Sequence, residues 1–112
     1  MDSVLIVDDI AGNTRLLESL LAPEHLTVRT ANDGAAALRS VRTEPPDLVL
    51  MDVMMPVMDG YEACQAIKGD SHTRLIPVVL VTALNDSASR IRGIDAGADD
   101  FVSKPFNQHE LT

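Results

Sequence analysis

The chain has 112 residues, 46% hydrophobic and 23% charged, with nine basic residues against seventeen acidic ones and a formal charge of −8. That length allows one packed core and no second beside it; the composition excludes general disorder, and the charge opposes direct contact with nucleic acid or an anionic membrane. No apolar run approaches the ~20 residues of a membrane span, Met1-Asp2-Ser3-Val4 does not open a signal peptide, and Cys64 has no second cysteine to pair with, so a cytoplasmic location is expected.

In chain order, Val4-Leu5-Ile6-Val7 is an aliphatic run of strand length. Leu16, Leu17, Leu20 and Leu21 stand at helical spacing and predict a first helix, closed by Pro23. Val28 to Ala31, broken by Arg29 and Thr30, predicts a second strand. Ala35, Leu38 and Val41 predict a second helix, set off by Pro45-Pro46 from a third strand at Leu48 to Met51. Asp59-Gly60 opens a third helix over Tyr61, Cys64 and Ile67. Ile76-Pro77 precedes a fourth strand, Val78 to Val81, Ile91 and Ile94 mark a fourth helix, and Phe101-Val102 a fifth strand.

The densest strands lack the polar alternation of a sheet with one wet face, so helices should cover both faces. Alternation of strand and helix throughout predicts an α/β fold with a doubly wound parallel sheet of five strands. A fifth helix has only begun at Gln108 to Thr112, although an open sheet needs it as cover. Residues 1–112 are therefore expected to be one domain of a longer chain.

In such a sheet all the carboxyl ends lie on one edge, where ligands bind. The first strand runs into Asp8-Asp9, the third into Asp52, the fourth into Thr82 and the fifth, through Ser103, into Lys104. Three carboxylates against one ammonium need a cation or a proton to sit together. The donors are hard oxygens with no His or Cys at metal spacing, which favours Mg²⁺, or Mn²⁺, over zinc. A carboxylate beside such an ion can act as a nucleophile toward phosphorus, with Lys104 and Thr82 stabilising the phosphoryl oxygens.

Val7-Asp8-Asp9, Met51-Asp52-Val53-Met54-Met55-Pro56 with Asp59-Gly60, Val81-Thr82-Ala83, and Gly97-Ala98-Asp99-Asp100-Phe101 with Lys104-Pro105-Phe106 resemble, in order and spacing, the receiver domains of two-component response regulators. The resemblance spans nearly the whole chain and implies a flavodoxin-like strand order, 2-1-3-4-5. It implies Asp52 as phosphoacceptor, Asp9 and Asp52 as direct Mg²⁺ ligands, Asp8 acting largely through water, and a backbone carbonyl from Met54. It further implies Lys104 on the phosphoryl group, Thr82 drawn towards it after transfer, Phe101 as the switch aromatic, and a cis bond between Lys104 and Pro105.

A sensor histidine kinase or phosphotransfer protein is the implied donor, and a C-terminal output domain the implied target. Receivers of this kind precede diguanylate cyclase or cyclic-di-GMP phosphodiesterase domains as well as DNA-binding ones. The face carrying Asp86, Arg90, Arg92 and Asp95, with the last strand and helix, is the implied dimer or output surface. Two departures stand out. Phe101 lacks the hydroxyl that many receivers carry there as Tyr. Met54 and Leu84, two residues after Asp52 and Thr82, are apolar, which is expected to obstruct an attacking water and prolong the phosphorylated state.

Single pieces of this pattern have plainer readings: Asp8-Asp9 as a solvated turn, Lys104 as a surface lysine, Met54, Met55 and Met58 as core filling. Cys64 reads as an inert buried thiol and Asp99-Asp100 as solvating the turn before the last strand, and His25, His72 and His109 carry no assigned role. An aspartate-nucleophile phosphatase would place a second Asp two residues after Asp52, where Met54 stands. A nucleotide-binding domain would show a glycine-rich loop after the first strand, where Asp8-Asp9 stands instead.

Overall fold

The computed structural model describes residues 3–21, 26–53, 55, 58–82 and 87–103. Strands and helices alternate through them: β1 (Ser3–Val7), α1 (Ala11–Leu21), β2 (Thr27–Ala31), α2 (Gly34–Thr43), β3 (Leu48–Asp52), α3 (Gly60–Gly69), β4 (Val78–Thr82), α4 (Ser87–Asp95) and β5 (Asp100–Ser103). The strands form one sheet in the order β2-β1-β3-β4-β5, every neighbouring pair parallel. That is the flavodoxin-like order expected from the sequence.

Side chains alternate between the two faces of a strand, and the apolar residues of the central strands serve both. Leu5, Val7, Val49, Met51, Val78 and Leu80 belong to one cluster with Ala37 and Val41 of α2 and Ala63, Cys64 and Ile67 of α3. Val4, Ile6, Leu50 and Val81 belong to a second, closed by Leu17 of α1. Burial of each such side chain contributes about 1.5–3 kcal/mol. β2 lies at the edge of the sheet, and there Thr27 and Thr30 are exposed.

The helix starts follow from local chemistry. Asp33 precedes α2 in extended conformation and its carboxylate accepts the Ala36 N–H at 2.7 Å. Asp59 does the same for α3, accepting from Glu62 N–H at 2.9 Å while the Glu62 side chain accepts the Asp59 N–H, a reciprocal capping box.

The first and fourth helices stand where the spacing of Leu16, Leu17, Leu20 and Leu21 and of Ile91 and Ile94 predicts them. Ile91 and Ile94 point outward, 58% and 66% exposed, while Gly93 of α4 and Ala96, just past its end, are buried; Leu16 is half exposed where its neighbour Leu17 is buried. One expectation is corrected. Asp99, read as a solvating turn residue, pairs with Lys68 of α3. Pro23, His25, Asp86, His109 and the beginning of a fifth helix at Gln108 to Thr112 lie outside the described residues.

Candidate functional site

β1 and β3 are adjacent parallel strands, so the residues that follow or end them share one edge. Asp52 closes β3 and is 5% exposed, while Asp8, just past β1, is 3% exposed. Burial of two carboxylates from different strands side by side is costly and needs compensation. Part of it is local: an Asp8 carboxylate oxygen accepts the Ile10 N–H at 2.9 Å, and the Asp8 N–H donates to the Ala31 carbonyl at 3.1 Å. Asp9 joins them from the exposed side, and one carboxylate oxygen from each of the three lies within 4.8 Å of the others. An open cleft of about 470 Å³ adjoins Asp8 and Asp9 between α1 and α2, with Thr14, Asn32 and Ser40 among its walls.

Gly60, the first residue of α3, lies against the backbone of Asp52. Its N–H donates to the Val53 carbonyl at 2.9 Å. A Cβ built there would collide with the Asp52 carbonyl oxygen and stand 2.8 Å from Val53 Cα. Only glycine fits this approach. Asp59-Gly60, expected from the sequence only as a helix start, thus also buttresses the backbone of Asp52, and the glycine after the capping aspartate is the signal of it in the sequence.

On the neighbouring strand Val81 pairs with Asp52, and Thr82 with Ser103 of β5. The Thr82 backbone is thus one residue further along the same edge, next to the residue that precedes Lys104. Phe101 lies in β5 opposite Leu80, partly buried against the α2–α3 core cluster. A Cβ on Gly93 of α4 would collide with the Cζ–Cε1 edge of its ring. The Thr82 side chain, and all of Met54, Leu84, Lys104 and Pro105, lie outside the described residues.

The donor set fits a small hard cation: three carboxylates, with no His or Cys in any such group among the described residues. A model of the response regulator receiver domain matches residues 4–112. The chain belongs to the response regulator receiver family. Response regulator PleD of Caulobacter vibrioides is 50% identical to this receiver domain over 104 residues, 93% of this chain and 23% of that one. The probable transcriptional regulator ycf27 of Guillardia theta is 47% identical over 110 residues, 98% of this chain and 42% of its own. The receiver domain therefore spans less than half the length of either relative.

Among solved structures, the chemotaxis protein CheY4 of Vibrio cholerae superposes with a TM-score of 0.93 at 32% identity, over 99% of this chain and 92% of that one. The receiver domain of the sensor histidine kinase PA1611 from Pseudomonas aeruginosa, solved with a magnesium ion coordinated in its active-site cleft, gives 0.90 at 33% identity, covering 98% and 90%. Membership of the family places this receiver domain in two-component signal transduction.

Proposed function

We propose that Asp52 accepts a phosphoryl group from a histidine kinase or phosphotransfer protein, and that this switches a distal surface controlling an output domain. The observation that carries the reading is the convergence of buried Asp8 and Asp52 with exposed Asp9, oxygen atoms within 4.8 Å, at the carboxyl edge of a receiver sheet. The magnesium ion held by the similar PA1611 receiver domain supports the same use of these acids here. Asp9 and Asp52 would bind Mg²⁺ directly, Asp8 largely through water, with the Met54 carbonyl completing the protein's share; Mn²⁺ would serve in its place.

When bound, the ion neutralises charge on the carboxylates and on the phosphoryl oxygens. An Asp52 carboxylate oxygen attacks phosphorus, an O–P bond forms as the donor's N–P bond breaks, and the imidazole leaves, taking its proton from solvent. Lys104 holds a phosphoryl oxygen through its ammonium. Thr82 then donates its hydroxyl to the phosphoryl group, and Phe101 turns inward as Thr82 moves. The change is a population shift between arrangements that both exist beforehand. Apolar Met54 and Leu84 hinder the water that would hydrolyse the product.

The proposal extends to the longer chain: an output domain follows, either DNA-binding or an enzyme of cyclic-di-GMP synthesis or hydrolysis. The α4–β5 face supplies its contact or a phosphorylation-dependent dimer. A cytoplasmic site of action goes with this partner set, and no described helix is long and apolar enough to cross a membrane. Radiolabelled acetyl phosphate tests the chemistry: label retained by denatured protein and released by hydroxylamine is the signature of an acyl phosphate, and its loss in Asp52→Asn assigns it to Asp52. Label that withstands hydroxylamine would place the group on another residue type.

A further inference from the structure

Arg92 is an exposed arginine on α4, yet it is held at two points by α3. Its guanidinium lies 3.3 Å from the Asp59 carboxylate and 4.5 Å from the centroid of the Tyr61 ring. Both partners flank Gly60, the residue whose backbone abuts the Asp52 carbonyl. Asp59 is also the cap of α3, using its other oxygen for the Glu62 N–H. One residue further along α4, Gly93 forms the surface on which the Phe101 ring rests. Two consecutive residues of α4 therefore meet the two ends of the switch: Arg92 grips the segment that buttresses the phosphoacceptor, and Gly93 seats the aromatic ring. A helix moves as a rigid element, so a shift of α4 that unseats the ring strains or breaks the Arg92 contacts too.

We propose that Arg92 is a positioning residue, a latch between α4 and the Asp59–Tyr61 start of α3 that holds the arrangement with Phe101 half-buried on Gly93 and opposes switching at Asp52. The inference rests on Asp52 being the phosphoacceptor and adds the route by which α4 and that residue sense each other. Linkage makes the coupling reciprocal: whatever Arg92 contributes to holding α4 is a contribution that phosphoryl binding must overcome.

The test uses beryllofluoride, a phosphoryl mimic, titrated calorimetrically in the presence of Mg²⁺ into wild type, Arg92→Met, Asp59→Asn and the double variant. Asparagine keeps a capping oxygen while removing the charge, so helix α3 retains its start. Arg92→Met should bind beryllofluoride about three- to tenfold more tightly, the span expected of one exposed ion pair and one exposed cation–π contact, and Asp59→Asn, which loses the ion pair alone, about two- to fivefold. The double variant should gain no more than the larger single effect, because the charge pair is shared. Affinity for Mg²⁺ alone should not move.

Tyr61 is the sole tyrosine in a chain without tryptophan, so its emission reads the contact directly. Beryllofluoride should change it in wild type and leave it nearly constant in Arg92→Met. Unchanged or weaker beryllofluoride binding in the single variants, or fully additive effects in the double, overturns the latch and leaves the phosphoacceptor reading standing. Failure of wild type to bind beryllofluoride overturns both.

Discussion

Lys68 Nζ lies 2.6 Å from Asp99 Oδ2, joining α3 to the segment that enters β5. The same ammonium donates to the Ile76 carbonyl at 2.7 Å, and the same carboxylate oxygen accepts the Val78 N–H at 2.7 Å. Lys68 is mostly buried, its side chain 16% exposed. Partial burial pushes the Asp99 carboxyl up, but the hydrogen bonds from Lys68 and Val78 and the Lys68 charge together hold it below its ordinary value. A carboxyl lowered on folding adds stability above its unfolded value near pH ~3.9, and that stability is lost as pH falls through the lower folded value. The Asp99 side chain is 48% exposed, so solvent screens the pair, and Asp99→Ala should destabilise by about 0.5–1 kcal/mol at neutral pH, leaving a largely buried ammonium short of its partner. The difference from wild type should shrink towards pH ~3 in denaturant titrations; a difference independent of pH would mean the charge is immaterial.

Cys64 is fully buried, and burial pushes its thiol from 9.0 up to about 11, with Lys68 pulling down and Asp99 pushing up more weakly. A thiol raised on folding keeps its contribution to stability below its unfolded value and loses it as pH rises through the folded one. Native protein at neutral pH should thus resist a thiol reagent, reacting only as it unfolds, and stability should fall between pH 9.0 and about 11. Rapid labelling of native protein would contradict this.

Gly60→Ala should lower both stability and phosphorylation. The added methyl meets the Asp52 carbonyl and Val53 Cα, backbone that cannot rotate away, and overpacking of this kind costs about 1–3 kcal/mol. Chemical denaturation measures the first effect. Reduced phosphoryl incorporation at a temperature where the variant is fully folded measures the second.

Mg²⁺ should stabilise the fold, since it relieves the repulsion among Asp8, Asp9 and Asp52. At ten times the dissociation constant the gain is ~1.4 kcal/mol, roughly 5 °C or more in Tm for a domain of this size. Exposed Asp9 changed to Asn should lose at least about tenfold in Mg²⁺ affinity with little effect on the metal-free Tm, and calorimetry against a chelator control separates the two.

Much of this was legible in the sequence because strands and sheet edges leave strong signals. The aliphatic runs Val4-Val7, Leu48-Met51 and Val78-Val81 are buried on both faces and read as such, and a parallel sheet must deliver Asp8 and Asp52 to one edge. The family resemblance, carried by motifs over nearly the whole chain, supplied the strand order, and the roles proposed for Asp52, Lys104 and Thr82 rest on it.

Helix faces were harder. Among the described side chains of α4 the buried position is Gly93, followed by Ala96 just past its end, both too small to mark a face, while Ile91 and Ile94 carry the periodicity and face outward; periodicity sees side-chain size and is blind to close backbone approach. Lys68 and Arg92 look like surface charges in the sequence, and their partners Asp99 and Asp59 lie about thirty residues away, a distance that no local pattern spans.

Whether Asp52 takes the phosphoryl group, with Mg²⁺ held by its acidic neighbours, is decided by intact-mass spectrometry after incubation with acetyl phosphate and Mg²⁺, on wild type and Asp52→Asn, with a chelator control. Wild type should gain one phosphoryl group, and none should be added in the variant or without metal. No adduct in wild type under conditions that preserve acyl phosphates, or an undiminished adduct in Asp52→Asn, would contradict this.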